Sequence, residues 1–164
     1  MTVENPFPEA DHDRRYIWEM LVTRDIDAFL NENWAMVSDD FIEDGFTGID
    51  ARNSDNPDDW RFQFPDVESY KVEWLRQAES FKKTEWAEDT KAAFHRVTEL
   101  LDIEINNDAA LVHKKFHGNI ARTDGQKTPF NWQTLYYCRK QNGIWKISGF
   151  TGYLPFVADS GKSY

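Results

Sequence analysis

The second half of the chain is dominated by four apolar-rich runs punctuated by Asn106-Asn107-Asp108, Asp124-Gly125 and Asn142-Gly143. Asp-Gly and Asn-Gly supply the positive φ angles that tight hairpin turns demand. The runs therefore read as strands from about Phe94 to Ile105, Ala109 to Arg122, Thr128 to Lys140 and Ile144 to Leu154. A hairpin meander of this length, with no helical segment between its strands, excludes an alternating parallel α/β architecture.

The first half has the other periodicity. Between Glu9 and Thr23, Ile17, Met20, Leu21 and Arg24 recur at spacings of three and four, the signature of a helix with a basic end. Asp25 has the chemistry of an N-cap for a second short helix carrying Ile26, Phe29 and Leu30. Trp34 and Val37 follow before Ser38-Asp39-Asp40 interrupts the pattern, and Phe41 to Asp50 reads as a strand containing Gly45 and Gly48. The polar stretch Ala51 to Pro65 reads as an exposed loop. Asp66 then caps a third helix whose face is Val67, Tyr70, Trp74, Ala78 and Phe81, ending near Lys83. Thr84 to Ala93 fits either a further helical turn or a loop. Helices first and a meander afterwards give an α+β class, with three N-terminal helices on a curved antiparallel sheet and one domain over residues 1–164, its core about 9–156.

The length of 164 residues suits one domain able to bury a core. Aromatic residues make up 15% of the chain, including seven Trp and twelve Phe. Such side chains either fill a core or line a ligand pocket. The net charge of −10 argues against nucleic acid and against anionic membrane surfaces as partners. A lone cysteine, Cys138, excludes an intrachain disulfide and a thiolate zinc site. Met1 to Asp13 lacks the basic and apolar regions of a secretory leader, and no apolar run approaches a membrane span, so the cytoplasm is the expected location.

Two stretches carry a resemblance. Arg24-Asp25-Ile26-Asp27-Ala28-Phe29 followed by Ser38-Asp39-Asp40-Phe41 is similar to a helix-to-strand segment of the NTF2-like superfamily, and Tyr137 to Gly149 is similar to its last hairpin, with Trp145-Lys146 after Asn-Gly. The resemblance spans roughly Arg15 to Phe156. It implies an NTF2-like (cystatin-like) cone around a small-molecule pocket, as in ketosteroid isomerase, scytalone dehydratase, limonene epoxide hydrolase and SnoaL-type polyketide cyclases. It also implies a homodimer paired through the outer sheet face.

The same resemblance suggests where chemistry would sit. Asp44, or Glu43 beside it, lies near the catalytic aspartate of ketosteroid isomerase, with Tyr16 as a hydrogen-bond donor. His95 lies where scytalone dehydratase-like sequences carry a histidine, and its parity with Val97, Leu101, Ile103 and Ile105 points it inward. His117, or His113, matches a substrate-facing histidine of that enzyme. On a strand two residues four apart sit about 13 Å apart, so these histidines do not share a metal. Val112, Phe116 and Ile120 also make the opposite face the more apolar one. Other dehydratase positions fall at Leu21, Val22, Trp132 and Thr134, which does not support dehydration specifically. Trp34, Phe46, Trp74, Trp132, Tyr136 and Phe150 are the candidate pocket wall.

The expected activity is therefore acid–base chemistry on a hydrophobic, oxygenated small molecule, with no cofactor and no metal: an isomerisation, dehydration or cyclisation. The alternative is a non-catalytic module that binds a ligand or a protein partner.

Overall fold

The computed structural model describes residues 3–156; the remaining positions of the expected 1–164 domain lie outside the described residues. Helix α1 (His12–Trp18), a π-helical turn (Glu19–Arg24) and α2 (Asp25–Leu30) form one continuous rod. Asp25 does not start a new helix, because Arg24 and Asp25 both keep helical dihedrals. Ile17, Met20, Leu21 and Ile26 are fully buried on the rod's inner side. Arg14 Nε donates to the carbonyl of Ile103 at 3.0 Å, and Trp145 Nε1 donates to Asp13 at 2.9 Å, tying opposite sides of the sheet to the rod. Arg24 forms a two-pronged bond to Asp40, 2.8 Å on each prong, which anchors the turn leading into the sheet.

The sheet has the order β2-β1-β6-β5-β4-β3, with β1 (Thr47–Asp50), β2 (Arg61–Phe64), β3 (Thr98–Asn106), β4 (Ala109–Ala121), β5 (Lys127–Gln141) and β6 (Ile144–Pro155). The meander is as expected from its turns: Asn107 and the Asn142-Gly143 pair take positive φ. Three expectations are corrected. Phe41 to Asp50 is mostly not strand; β1 is short, and it pairs parallel to β6. The polar stretch 51–65 contains β2, antiparallel to β1. Residues 94–97 belong to helix α4 (Thr90–Val97), because Asp89 caps it through the Lys91 amide and Ala93, Phe94 and Val97 bury one helical face.

Helices α3 (Val67–Lys83) and α4 complete the layer facing the sheet. Gly118 takes φ +139, and a Cβ there would lie 3.0 Å from Val97 Cγ1, so the missing side chain lets α4 rest directly on β4. Pairs Lys114–Thr134 and Phe116–Trp132 place the even-numbered side chains of β4 and β5 towards the helices. Among the described residues no helix is long and apolar enough to cross a membrane.

Candidate functional site

Between the α3–α4 layer and the inner face of β4, β5 and β6 lies a cavity of about 710 Å³. Its size falls within the usual range of small-molecule sites. The walls come from Phe29, α3 (Tyr70, Trp74, Phe81), α4 (Phe94) and the sheet (Phe116, Phe130, Trp132, Phe150). At one end the rim is polar, with Arg76, Thr84, Glu85, Arg122 and Asp124. The strap between α3 and α4 closes on the β4–β5 turn there, through Ala87 N to Ala121 O at 2.9 Å and Thr123 N to Glu85 O at 3.0 Å.

The other end carries the ionisable groups. Lys114 is 0% exposed and sits on the buried face of β4 between Val112 and Phe116. Its Nζ donates to Asp25 Oδ2 at 2.9 Å and to the Leu21 carbonyl at 2.5 Å. An isolated buried ammonium is very unfavourable, so this pair of acceptors is what makes the position tolerable. The π turn has a direct part in it. In a regular α-helix the Asp25 amide would bond the Leu21 carbonyl; here it bonds the Val22 carbonyl, and the Leu21 carbonyl accepts from Lys114. The Lys114 ammonium also stands 5.2 Å from the Phe116 ring centre.

Asp25 is the accessible half of the pair, with its side chain 28% exposed against 1% for Lys114. Its Oδ1 accepts from Trp74 Nε1 at 3.4 Å, so a cation and an indole fix the carboxylate in place. Tyr70 and Tyr136 complete the end wall. Burial, then the facing phenol of Tyr136 and the Asp25 carboxylate, hold Tyr70 well above the ordinary phenol range. Burial, then Asp25 and Tyr153, do the same to Tyr136. Both are only partly covered by neighbouring atoms, because both face the cavity between the helices and the sheet. They therefore remain protonated donors at neutral pH. Tyr153 also lines the cavity; its hydroxyl accepts from Gln77 and its backbone sits at φ +58, an unusual conformation for a bulky residue.

Several expected site residues are elsewhere. Asp44 and Glu43 are exposed in the turn ahead of β1 and do not line the cavity, because the strand expected around them does not form. Tyr16 is 38% exposed on the outer side of the rod, under the Arg24 guanidinium. His117 is exposed on the outer sheet face, stacked on Phe156 at 4.6 Å, and His113 shares that face. His95 lies on α4 rather than on a strand and does not line the cavity. Its Nδ1 is buried with no hydrogen-bond partner, and burial, followed by the Lys91 charge, lowers its pKa. Trp74, Trp132, Tyr136 and Phe150 do line the cavity, whereas Trp34 and Phe46 stand behind it, Trp34 packing on Phe41 and Trp74 and Phe46 on Phe41 and Phe150. Burial pushes the Cys138 thiol up to about 12, so it is no nucleophile at neutral pH.

Asp25 and Lys114 escape a reading by residue type. The available signal was parity: Lys114 falls on the same face as Val112, Phe116 and Ile120, the apolar face of β4. A lysine there needs an acid within reach, and helix 25–30 supplies Asp25.

The described structure resembles a protein of unknown function from Pseudomonas putida KT2440 with an NTF2-like architecture, at TM-score 0.56 and 16% identity, covering 90% of each chain. The fold is NTF2-like. A cystatin-like domain of unknown function from Nostoc punctiforme matches at TM-score 0.56 and 13% identity over 93% of this chain and 82% of that one. An NTF2-like superfamily protein from Salmonella enterica serovar Typhimurium LT2 matches at TM-score 0.53 and 15% identity over 90% and 94%. At such identities the NTF2-like likeness describes architecture alone. No family model and no curated protein matches the chain.

Proposed function

We propose that the protein binds a hydrophobic, oxygenated small molecule in the cavity and moves a proton on it. The observation that carries this reading is a carboxylate and two protonated phenols at the inner end of a cavity whose apolar wall is aromatic. Asp25 is the base: its side chain is 28% exposed and lines the cavity, and the Lys114 ammonium 2.9 Å away holds it in position. Tyr70 or Tyr136 donates to the substrate carbonyl. As Asp25 takes the proton from the carbon beside that carbonyl, the C–H electron pair becomes the new C=C bond, the C=O π pair moves onto oxygen, and the phenol stabilises the enolate. Returning the proton to a different carbon gives isomerisation; expelling a β-hydroxyl gives dehydration; attack of the enolate carbon on a second carbonyl gives cyclisation. Lys114 touches no substrate and is a positioning residue.

The test is hydrogen exchange. A ketone that binds the protein is incubated in deuterated buffer and its α-hydrogens are followed by NMR. Exchange should be catalysed by the wild type and be at least about 100-fold slower with Asp25→Asn, the usual scale of a positioned base. Binding with no exchange above buffer, or equal exchange by both proteins, contradicts the catalytic reading and leaves a ligand-holding module.

The homodimer implied by the family resemblance is also proposed. Leu101 is 55% and Tyr137 40% exposed on the outer sheet face, where a second copy would cover them.

A further inference from the structure

Every apolar side chain lining the cavity is aromatic. Among the described residues the wall holds no Leu, Ile, Val or Met. This is not forced by composition, because the aliphatic residues are present in quantity: Ile17, Met20, Leu21, Ile26, Val112 and Ile120 are all buried, but none of them faces the cavity. The rings are in mutual contact. Trp132 meets Phe116 at 4.7 Å and Phe130 at 5.4 Å, and on the opposite side Phe81 meets Trp86 at 4.6 Å. Aromatic side chains have few rotatable bonds, so such a wall keeps its shape better than an aliphatic one. It also offers ring faces and ring edges, which favour a planar π system over a saturated body of equal size.

The charges at the inner end restrict the ligand further. Asp25 already has its counter-ion in Lys114 at 2.9 Å, so the pair has no net charge left to neutralise in a ligand. A ligand carboxylate would be stripped of water beside the Asp25 carboxylate, and a ligand ammonium would be brought close to the Lys114 ammonium. At the rim, Arg76 is likewise bonded to Glu73, and Arg122 to Asp124. Tyr70 and Tyr136 pair with each other, Tyr70 donating, so the inner end presents the Tyr136 hydroxyl as a donor, which suits a neutral oxygen acceptor.

We infer that the cavity selects a neutral aromatic molecule carrying a carbonyl or similar oxygen at its inner end, and discriminates against saturated, anionic and cationic molecules of the same size. This rests on the reading of the cavity as a small-molecule site and names its ligand class.

The test is calorimetric titration of the full chain with four probes of one size. These are acetonaphthone (neutral, aromatic), acetyldecalin (its saturated counterpart), naphthoate (anionic) and naphthylmethylammonium (cationic). Acetonaphthone should bind about tenfold or more tighter than each of the others, the scale of one or two aromatic pair contacts. Trp132→Leu should weaken acetonaphthone and leave acetyldecalin within about twofold. If acetyldecalin or either ion binds as tightly as acetonaphthone, the ligand class is overturned while the small-molecule site stands. If none of the four binds, the small-molecule site itself is overturned, and this inference with it.

Discussion

Asp25 and Lys114 form one ion pair from very different positions, and the two residues should respond differently to substitution. Asp25→Asn strands a fully buried ammonium and should destabilise the fold by about 3 kcal/mol in urea unfolding. Lys114→Met replaces the buried charge by an apolar group and leaves a carboxylate that can reach cavity water, so it should cost only about 1 kcal/mol. It should nevertheless slow α-hydrogen exchange, since Asp25 loses the partner that holds it in position. Equal destabilisation by the two variants would contradict the assignment of the buried partner. His95 gives a separate residue-scale outcome. Its pKa is lowered from the ordinary value near 6.5 first by burial and then by Lys91, with Asp27 favouring protonation and Lys114 opposing it. The unfolded chain therefore binds the proton more readily, and the contribution to stability is complete above about pH 6.5 and falls away as the pH drops through the folded value. His95→Gln should flatten that acidic loss of stability, read as melting temperature against pH.

At the scale of the elements, the parallel pairing of β1 with β6 depends on a close approach. A Cβ at Gly149 would lie 2.4 Å from the Thr47 carbonyl oxygen, a contact that backbone cannot absorb without moving. Gly149→Ala should lower stability by about 2 kcal/mol or more by prising β1 from the sheet, measured by thermal unfolding. The elements that were legible in the sequence are those with local signals: the four meander strands, marked by their turns, and α3, marked by its cap and its apolar face. The elements that were not legible depend on distant partners. β2 is four residues whose strand character comes from pairing with β1, and the π turn exists in a continuous rod that local capping chemistry at Asp25 would have divided. Helix α4 was hidden because His95, Val97 and Leu101 imitate the alternation of a strand.

At the scale of the whole molecule, the architecture follows from the order of elements, and the aromatic content divides between the core, as at Trp18, Trp34, Phe41 and Trp145, and the cavity wall. The site was only half readable. Trp74, Trp132, Tyr136 and Phe150 could be picked out as bulky aromatic residues on inward-facing positions. The ionisable pair could not, because Asp25 and Lys114 are 89 residues apart and meet only when the rod crosses the sheet. Candidates chosen by resemblance, Asp44 and His117, lie on outer surfaces instead. If two copies pair through the outer sheet face, light scattering after gel filtration should give twice the chain mass, and Tyr137→Lys should halve it; a wild-type monomer contradicts the pairing. A crystal structure of the protein with acetonaphthone would show directly how the cavity holds its ligand. The ring system should lie between Trp132 and Phe81, with the carbonyl oxygen hydrogen-bonded to Tyr70 or Tyr136 and the methyl group against the Asp25 carboxylate. Acetonaphthone bound on the outer sheet face, or with its carbonyl turned to the rim at Arg76, would contradict this placement.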